Sequence, residues 1–181
     1  VFWMFETFGH TNVHLLNMSL EYLEKQGHKV DMTAPALSRT SSYKVTRKPA
    51  DIADMQQVYA SLGKSDIHIL DARPEGRFSG KSPEPREGMR SGHIPGSLNI
   101  PASNLVDPVT GGFKPLSQIQ DILAGQIDAQ VKKFITSCGS GVTACVLRGA
   151  LNLQGYETVK IYDGSWSEWG LSTNDTPVES N

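Results

Sequence analysis

Apolar and polar positions along the chain change character twice. Residues 1–30 read as a compact αβα pattern: an apolar helical run ending at Gly9, a short strand over 13–16, and a helix over 20–26 closed by Gly27 as its C-cap. A unit below about 40 residues cannot bury enough surface to offset its chain entropy, so this piece has to pack on something else. Over 33–49 the chain turns polar, with Ser38, Arg39, Thr40, Ser41, Ser42, Arg47 and Lys48, which predicts a linker. Beyond Pro49, β-rich apolar runs alternate with helical patterns, as in a mostly parallel sheet with helices on both faces. Strands are predicted at 67–70, 98–100, 133–137 and 159–162, and helices at 52–61, 116–124 and 142–154. In the last helix Val146, Leu147, Ala150, Leu151 and Leu153 share one face, and Gly155 ends it. The expected fold class is α/β, with a first piece at 1–32, a linker at 33–49, a main domain at 50–175 and a tail at 176–181.

Composition narrows the function classes. With 181 residues there is room for one ordinary domain and part of a second. Seventeen basic against 19 acidic side chains give a formal charge of -2, without the basic footprint that neutralising nucleic-acid phosphates demands. A hydrophobic share of 38% beside 20% charged residues is that of a globular chain, and no window approaches the apolar length of a membrane span. Cys138 and Cys145 are the only cysteines and lack metal-type partner spacing, so neither a disulfide framework nor a metal site is predicted. The chain opens on Val1 within an apolar run, as if inside an element, so any targeting segment would lie upstream and compartment is not read from it.

The chemistry concentrates in a few stretches. In Ser137-Cys138-Gly139-Ser140-Gly141-Val142-Thr143-Ala144-Cys145 a strand ends at Cys138 and a helix starts near Val142. Ligands in α/β folds bind at carboxyl ends of strands. A glycine-rich loop there, with a helix N-terminus behind it, offers backbone N–H groups to an anion and stabilises a thiolate or a persulfide. Cys145, a helical turn further on, reads as a packing residue. Four arginines, Arg73, Arg77, Arg86 and Arg90, follow the strand over 67–70. Guanidinium forks grip carboxylates bidentately, so two of them beside a reactive thiol would fix a small anion; the bland alternative is solvated surface pairing with Glu75, Glu84 and Glu87. His93 in Ser91-Gly92-His93-Ile94-Pro95-Gly96 reads as structural. In Tyr162-Asp163-Gly164-Ser165-Trp166-Ser167-Glu168-Trp169 a short helix is expected with Ser or Asp as cap and both tryptophans packed.

Asp71-Ala72-Arg73, Gly92-His93-Ile94-Pro95-Gly96, Cys138-Gly139-Ser140-Gly141-Val142-Thr143-Ala144 and Asp163-Gly164-Ser165-Trp166 together resemble, in this order, a rhodanese-type sulfurtransferase, over roughly 50–170. Within that group the chain is similar to the second, catalytic domain of the two-domain 3-mercaptopyruvate and thiosulfate sulfurtransferases. The resemblance implies a rhodanese-like fold preceded by the αβα end of a similar first domain. It also implies that Cys138 is the nucleophile that becomes a persulfide, that Arg77 and Arg86 grip the donor carboxylate, and that Gly139, Ser140, Gly141, Val142 and Thr143 cradle the transferred sulfur. Thiosulfate-preferring members carry basic residues directly after the cysteine. Gly139 and Ser140 are neutral, which leans toward 3-mercaptopyruvate.

The resemblance implies no cofactor and no metal. Its expected partners are a small-molecule sulfur donor and a thiol acceptor such as thioredoxin or a sulfur-relay protein, or cyanide, with no direct nucleic acid and no membrane, in the cytoplasm or the mitochondrion. An alternative of another class, which the resemblance to fungal members implies, is a sulfur-carrier module that hands the persulfide to a partner protein in tRNA thiolation. A cysteine phosphatase is excluded: its loop needs an arginine at 144 to hold phosphate, and Ala144 stands there. Groups that a first domain would add to the cleft are expected upstream, and without them the site is expected to be open to water and slower.

Overall fold

The computed structural model describes residues 1–10, 12–33, 42–47 and 51–180. Packing divides the chain into two units, Val1–Pro49 with Val106–Phe113, and Ala50–Leu105 with Lys114–Asn181. Much of the stretch expected to be a linker, 33–49, lies outside the described residues.

The first unit holds α1 (Phe2–Thr7) and α2 (Leu20–Lys25). Ser19 caps α2 by accepting the Tyr22 N–H at 3.1 Å. The strand expected over 13–16 is not formed: no strand lies alongside it among the described residues, and Leu15 and Leu16 are exposed. A short apolar stretch does not make a strand without a neighbour to satisfy its backbone. The segment 106–113 is tied in by Ser19 N–H to the Thr110 carbonyl at 2.7 Å and by Phe113 N–H to Asn17 Oδ1 at 2.6 Å.

The second unit is built on a five-stranded parallel sheet. Its strands are β1 (Ile52–Ala53), β2 (Ile67–Asp71), β3 (Leu98–Asn99), β4 (Lys133–Ser137) and β5 (Thr158–Tyr162), in the order β1-β5-β4-β2-β3. The helices are α3 (Met55–Tyr59), α4 (Glu75–Phe78), α5 (Leu116–Ala124), α6 (Ala144–Leu153) and α7 (Ser165–Trp169). β4 and α5 match their predicted bounds. The helix expected over 52–61 is corrected: Ile52 and Ala53 form an edge strand beside β5, and the Asp54 side chain accepts the Gln57 N–H at 2.8 Å, so α3 starts only at Met55. The helix expected from 142 begins at Ala144, because Gly141 (φ +79°) turns the chain and Val142 and Thr143 complete that turn.

Register assigns the faces. Ile69, Ile135 and Tyr162 project to one side and form a cluster with Val58 of α3 and with Trp166 and Trp169 of α7. Leu70, Phe134, Thr136 and Ile161 alternate to the other side, where α6 packs along β4 and β5 through Leu147, Ala150 and Leu151. Leu153, placed on that face by periodicity, is instead 49% exposed in the last turn of α6. The last residues are packed in this unit: Thr176 is buried, and Glu179 pairs antiparallel with His93. Arg90 holds this segment by donating to the Thr176 and Trp169 carbonyls, each at 2.7 Å. Among the described residues no helix is long and apolar enough to cross a membrane.

Trp169 is fully buried, stands edge-on to Tyr162 at 6.4 Å and donates its indole N–H to the Pro177 carbonyl at 2.8 Å. Trp169→Ala is expected to destabilise the second unit by about 3–5 kcal/mol, whereas Leu153→Ala costs about 1 kcal/mol or less. Urea unfolding of the two variants checks the difference.

Candidate active site

The carboxyl ends of β2 and β4 lie side by side, with Asp71 opposite Ser137 in the register. Chain leaving β2 carries the arginines and chain leaving β4 carries Cys138, so two loops distant in sequence meet at one sheet edge. The Ala72 N–H donates to the Ser137 carbonyl at 2.9 Å, prolonging the pairing into the loops.

Cys138 is 2% exposed. Its loop is pinned by Ser165, whose hydroxyl accepts the N–H groups of Cys138 at 3.1 Å and Gly141 at 3.0 Å and donates to the Tyr162 carbonyl at 2.8 Å. The Trp166 and Ser167 N–H groups return to the Cys138 and Gly139 carbonyls, both at 2.9 Å. Gly141 is confined to glycine, since a Cβ there would stand 2.9 Å from Asp163 backbone and side-chain oxygens. Among the described residues the N–H groups of Gly139, Ser140, Val142 and Thr143 have no protein acceptor, which leaves four backbone donors ahead of α6 for an anion. Cys145 donates its thiol to the Gly141 carbonyl at 3.4 Å, and burial pushes that thiol up from its ordinary value, in keeping with a packing role.

The four arginines separate into two kinds. Arg73 is buried and spent: Nε and Nη2 grip Asp71 at 2.7–3.1 Å, Nη2 also reaches the Gly92 carbonyl at 2.8 Å, Nη1 reaches Glu84 at 2.9 Å, and the guanidinium lies 4.3 Å from the Trp166 ring centroid. Arg90 is spent on the carbonyls already described. Arg77 and Arg86 remain to line a cleft of about 100 Å³ together with Glu84, Gly139, Ser140 and Ser167. Arg77 lies across the cysteine loop so closely that a Cβ on Gly139 would come 2.9 Å from its Nη2. Arg77 also lines a second cleft, of about 320 Å³, together with Arg73 and Thr143. Cys138 itself lines neither; the loop residues beside it do.

Glu84 rules out the bland alternative for its own position. It is no solvated surface partner: its side chain is 4% exposed, with Oε1 shared by Arg73 and Arg77 and Oε2 bound to Arg77 Nη2. Ser165, expected only as a helix cap, has another role. It sits at φ +50°, which a residue with a Cβ rarely adopts, and the expected Ser or Asp cap is absent because its hydroxyl serves the cysteine loop instead. The small polar residue between Gly164 and Trp166 was the available signal. His93 is structural as expected: buried, stacked on Phe78 at 3.9 Å, with Nδ1 2.9 Å from the Phe78 carbonyl oxygen.

Ser165→Ala strands two buried N–H groups and is expected to cost about 2–4 kcal/mol. Urea unfolding measures the loss, and proteolysis mapped by mass spectrometry is expected to show new cleavage within 138–143.

Residues 54–172 match the family model described as "Rhodanese-like domain". Over 177 residues the chain is 37% identical to the 3-mercaptopyruvate sulfurtransferase of Escherichia coli, covering 98% of this chain and 62% of that protein. Over 181 residues it is 36% identical to a probable 3-mercaptopyruvate sulfurtransferase of Schizosaccharomyces pombe, covering 97% and 60%. The crystal structure of Tum1 from Saccharomyces cerevisiae is similar with a TM-score of 0.86 at 29% identity, over 99% of this chain and 64% of that one. The chain thus spans about three fifths of the length of these relatives.

Proposed function

The chain belongs to the rhodanese-like domain family, and from that premise we propose that it carries the sulfur-transferring site of a 3-mercaptopyruvate sulfurtransferase. The Cys138 thiolate attacks the sulfur of 3-mercaptopyruvate. A sulfur–sulfur bond forms, the carbon–sulfur bond breaks, and its electron pair leaves on carbon as the enolate of pyruvate, which takes up a proton. The terminal sulfur then passes from the Cys138 persulfide to a thiol such as thioredoxin, or to cyanide, returning the thiolate. This is nucleophilic catalysis through a covalent intermediate, with ping-pong kinetics. In this reading Arg77 and Arg86 hold the donor carboxylate, and the free N–H groups of Gly139, Ser140, Val142 and Thr143, with Gly141 shaping the turn, cradle the terminal sulfur.

The observation that carries this reading is the approach of Arg77 to Gly139. A cation that grips carboxylates lies against the loop of the nucleophile, and a side chain at position 139 would have to displace its Nη2 from the present position. The same fact favours 3-mercaptopyruvate over thiosulfate, because position 139 adds no charge for a dianion.

Intact mass after incubation with 3-mercaptopyruvate is expected to show one added sulfur on the unaltered chain and on Cys145→Ser, and none on Cys138→Ser. The reverse pattern would reassign the nucleophile. Arg77→Ala and Arg86→Ala are each expected to lower kcat/KM for 3-mercaptopyruvate by about 2–4 kcal/mol of transition-state stabilisation. Steady-state kinetics with both values near that of the unaltered chain would remove the arginines from the site.

A further inference from the structure

Glu84 takes no part in the sulfur transfer proposed above, yet it is a nearly buried acid in the wall of the cleft. It meets Arg77 side-on through Nε at 3.1 Å and through Nη2, which occupies one edge of the fork and leaves Nη1 without a protein partner among the described residues. The charged residues lining this cleft are Arg77, Arg86 and Glu84, two positive and one negative, for a net charge of +1. Arg73, which also binds Glu84, has its own charge matched by Asp71. Glu75, Lys81 and Glu87 are exposed and line neither cleft. A monocarboxylate balances a charge of +1. A dianion leaves one negative charge uncompensated in a partly enclosed space, where charges interact more strongly than in water.

We propose that Glu84 sets the charge of the donor this site accepts, cancelling one of two cleft cations so that a monocarboxylate is preferred to a dianion. The proposal rests on reading the cleft as the donor's site. Both carboxylate oxygens of Glu84 are taken by Arg73 and Arg77, so Glu84 acts through Arg77; it is a positioning residue, and its carboxylate fixes which edge of the guanidinium faces the cleft.

The test uses the whole chain and the isosteric variant Glu84→Gln. Calorimetric titration compares pyruvate, a monoanion, with sulfate, a dianion, and kinetics compare 3-mercaptopyruvate with thiosulfate. In the variant the thiosulfate to 3-mercaptopyruvate ratio of kcat/KM is expected to rise by about tenfold or more, chiefly through KM, with sulfate gaining on pyruvate in parallel. A merely structural role would weaken both donors together, and an unchanged ratio overturns the proposal. If the variant does not fold, the unaltered chain still decides: tighter binding of pyruvate than of sulfate supports the charge filter, and the opposite order refutes it. Should the chain transfer sulfur from neither donor, the sulfurtransferase reading fails, while the pyruvate and sulfate titrations still judge Glu84.

Discussion

The site hangs on a chain of alternating charges, Asp71, Arg73, Glu84 and Arg77, whose first three side chains are buried. Removing such groups from water is costly, and only close, fully bonded pairing offsets the loss. Each interior member is therefore shared by two neighbours, and none can move alone. Arg73 also binds the Gly92 carbonyl and lies over Trp166, while the Asn99 amide donates to the Asp71 and Arg73 carbonyls at 3.0 and 2.9 Å. The end of β2, the segment before His93 and the start of α7 are thus referred to one guanidinium, and β3 is tied to the backbone on either side of Ala72. Arg77, the last and most exposed link, has a side chain 25% open to solvent and inherits a fixed position from the buried ones.

A second constraint acts on the other loop. One hydroxyl, that of Ser165, makes three hydrogen bonds that join the turn after β5 to the turn after β4. Holding a non-glycine residue at positive φ costs roughly 1–2 kcal/mol, and these bonds offset it. The cysteine loop is therefore shaped by α7 as much as by its own glycines.

Much of this was legible in the sequence because it rests on periodicity and local motifs. β4 and α5 follow from apolar runs with clear ends, and Cys138 stands out because a strand, glycines and a helix start coincide there. Burial of Glu84 was not legible, since Pro83-Glu84-Pro85-Arg86 has the composition of a surface loop and only the fold brings Arg73 and Arg77 to it. Nor could four arginines in one stretch be sorted from composition. Two are consumed by partners remote in sequence, Arg90 by Trp169 and Thr176 and Arg73 in part by Gly92. The strand expected over 13–16 failed for the converse reason: a local pattern had no neighbour to complete it.

The membership of 106–113 bears on how such a chain can be divided. These residues lie between β3 and α5 in sequence but pack with the first unit, against Asn17 and Ser19. The unit boundary is crossed three times, so no single cut in the backbone separates the two units cleanly. Exchange of parts between proteins of this kind at one junction near residue 50 would carry a loop into a new host without the partners that shape it. A viable exchange has to replace that loop as well.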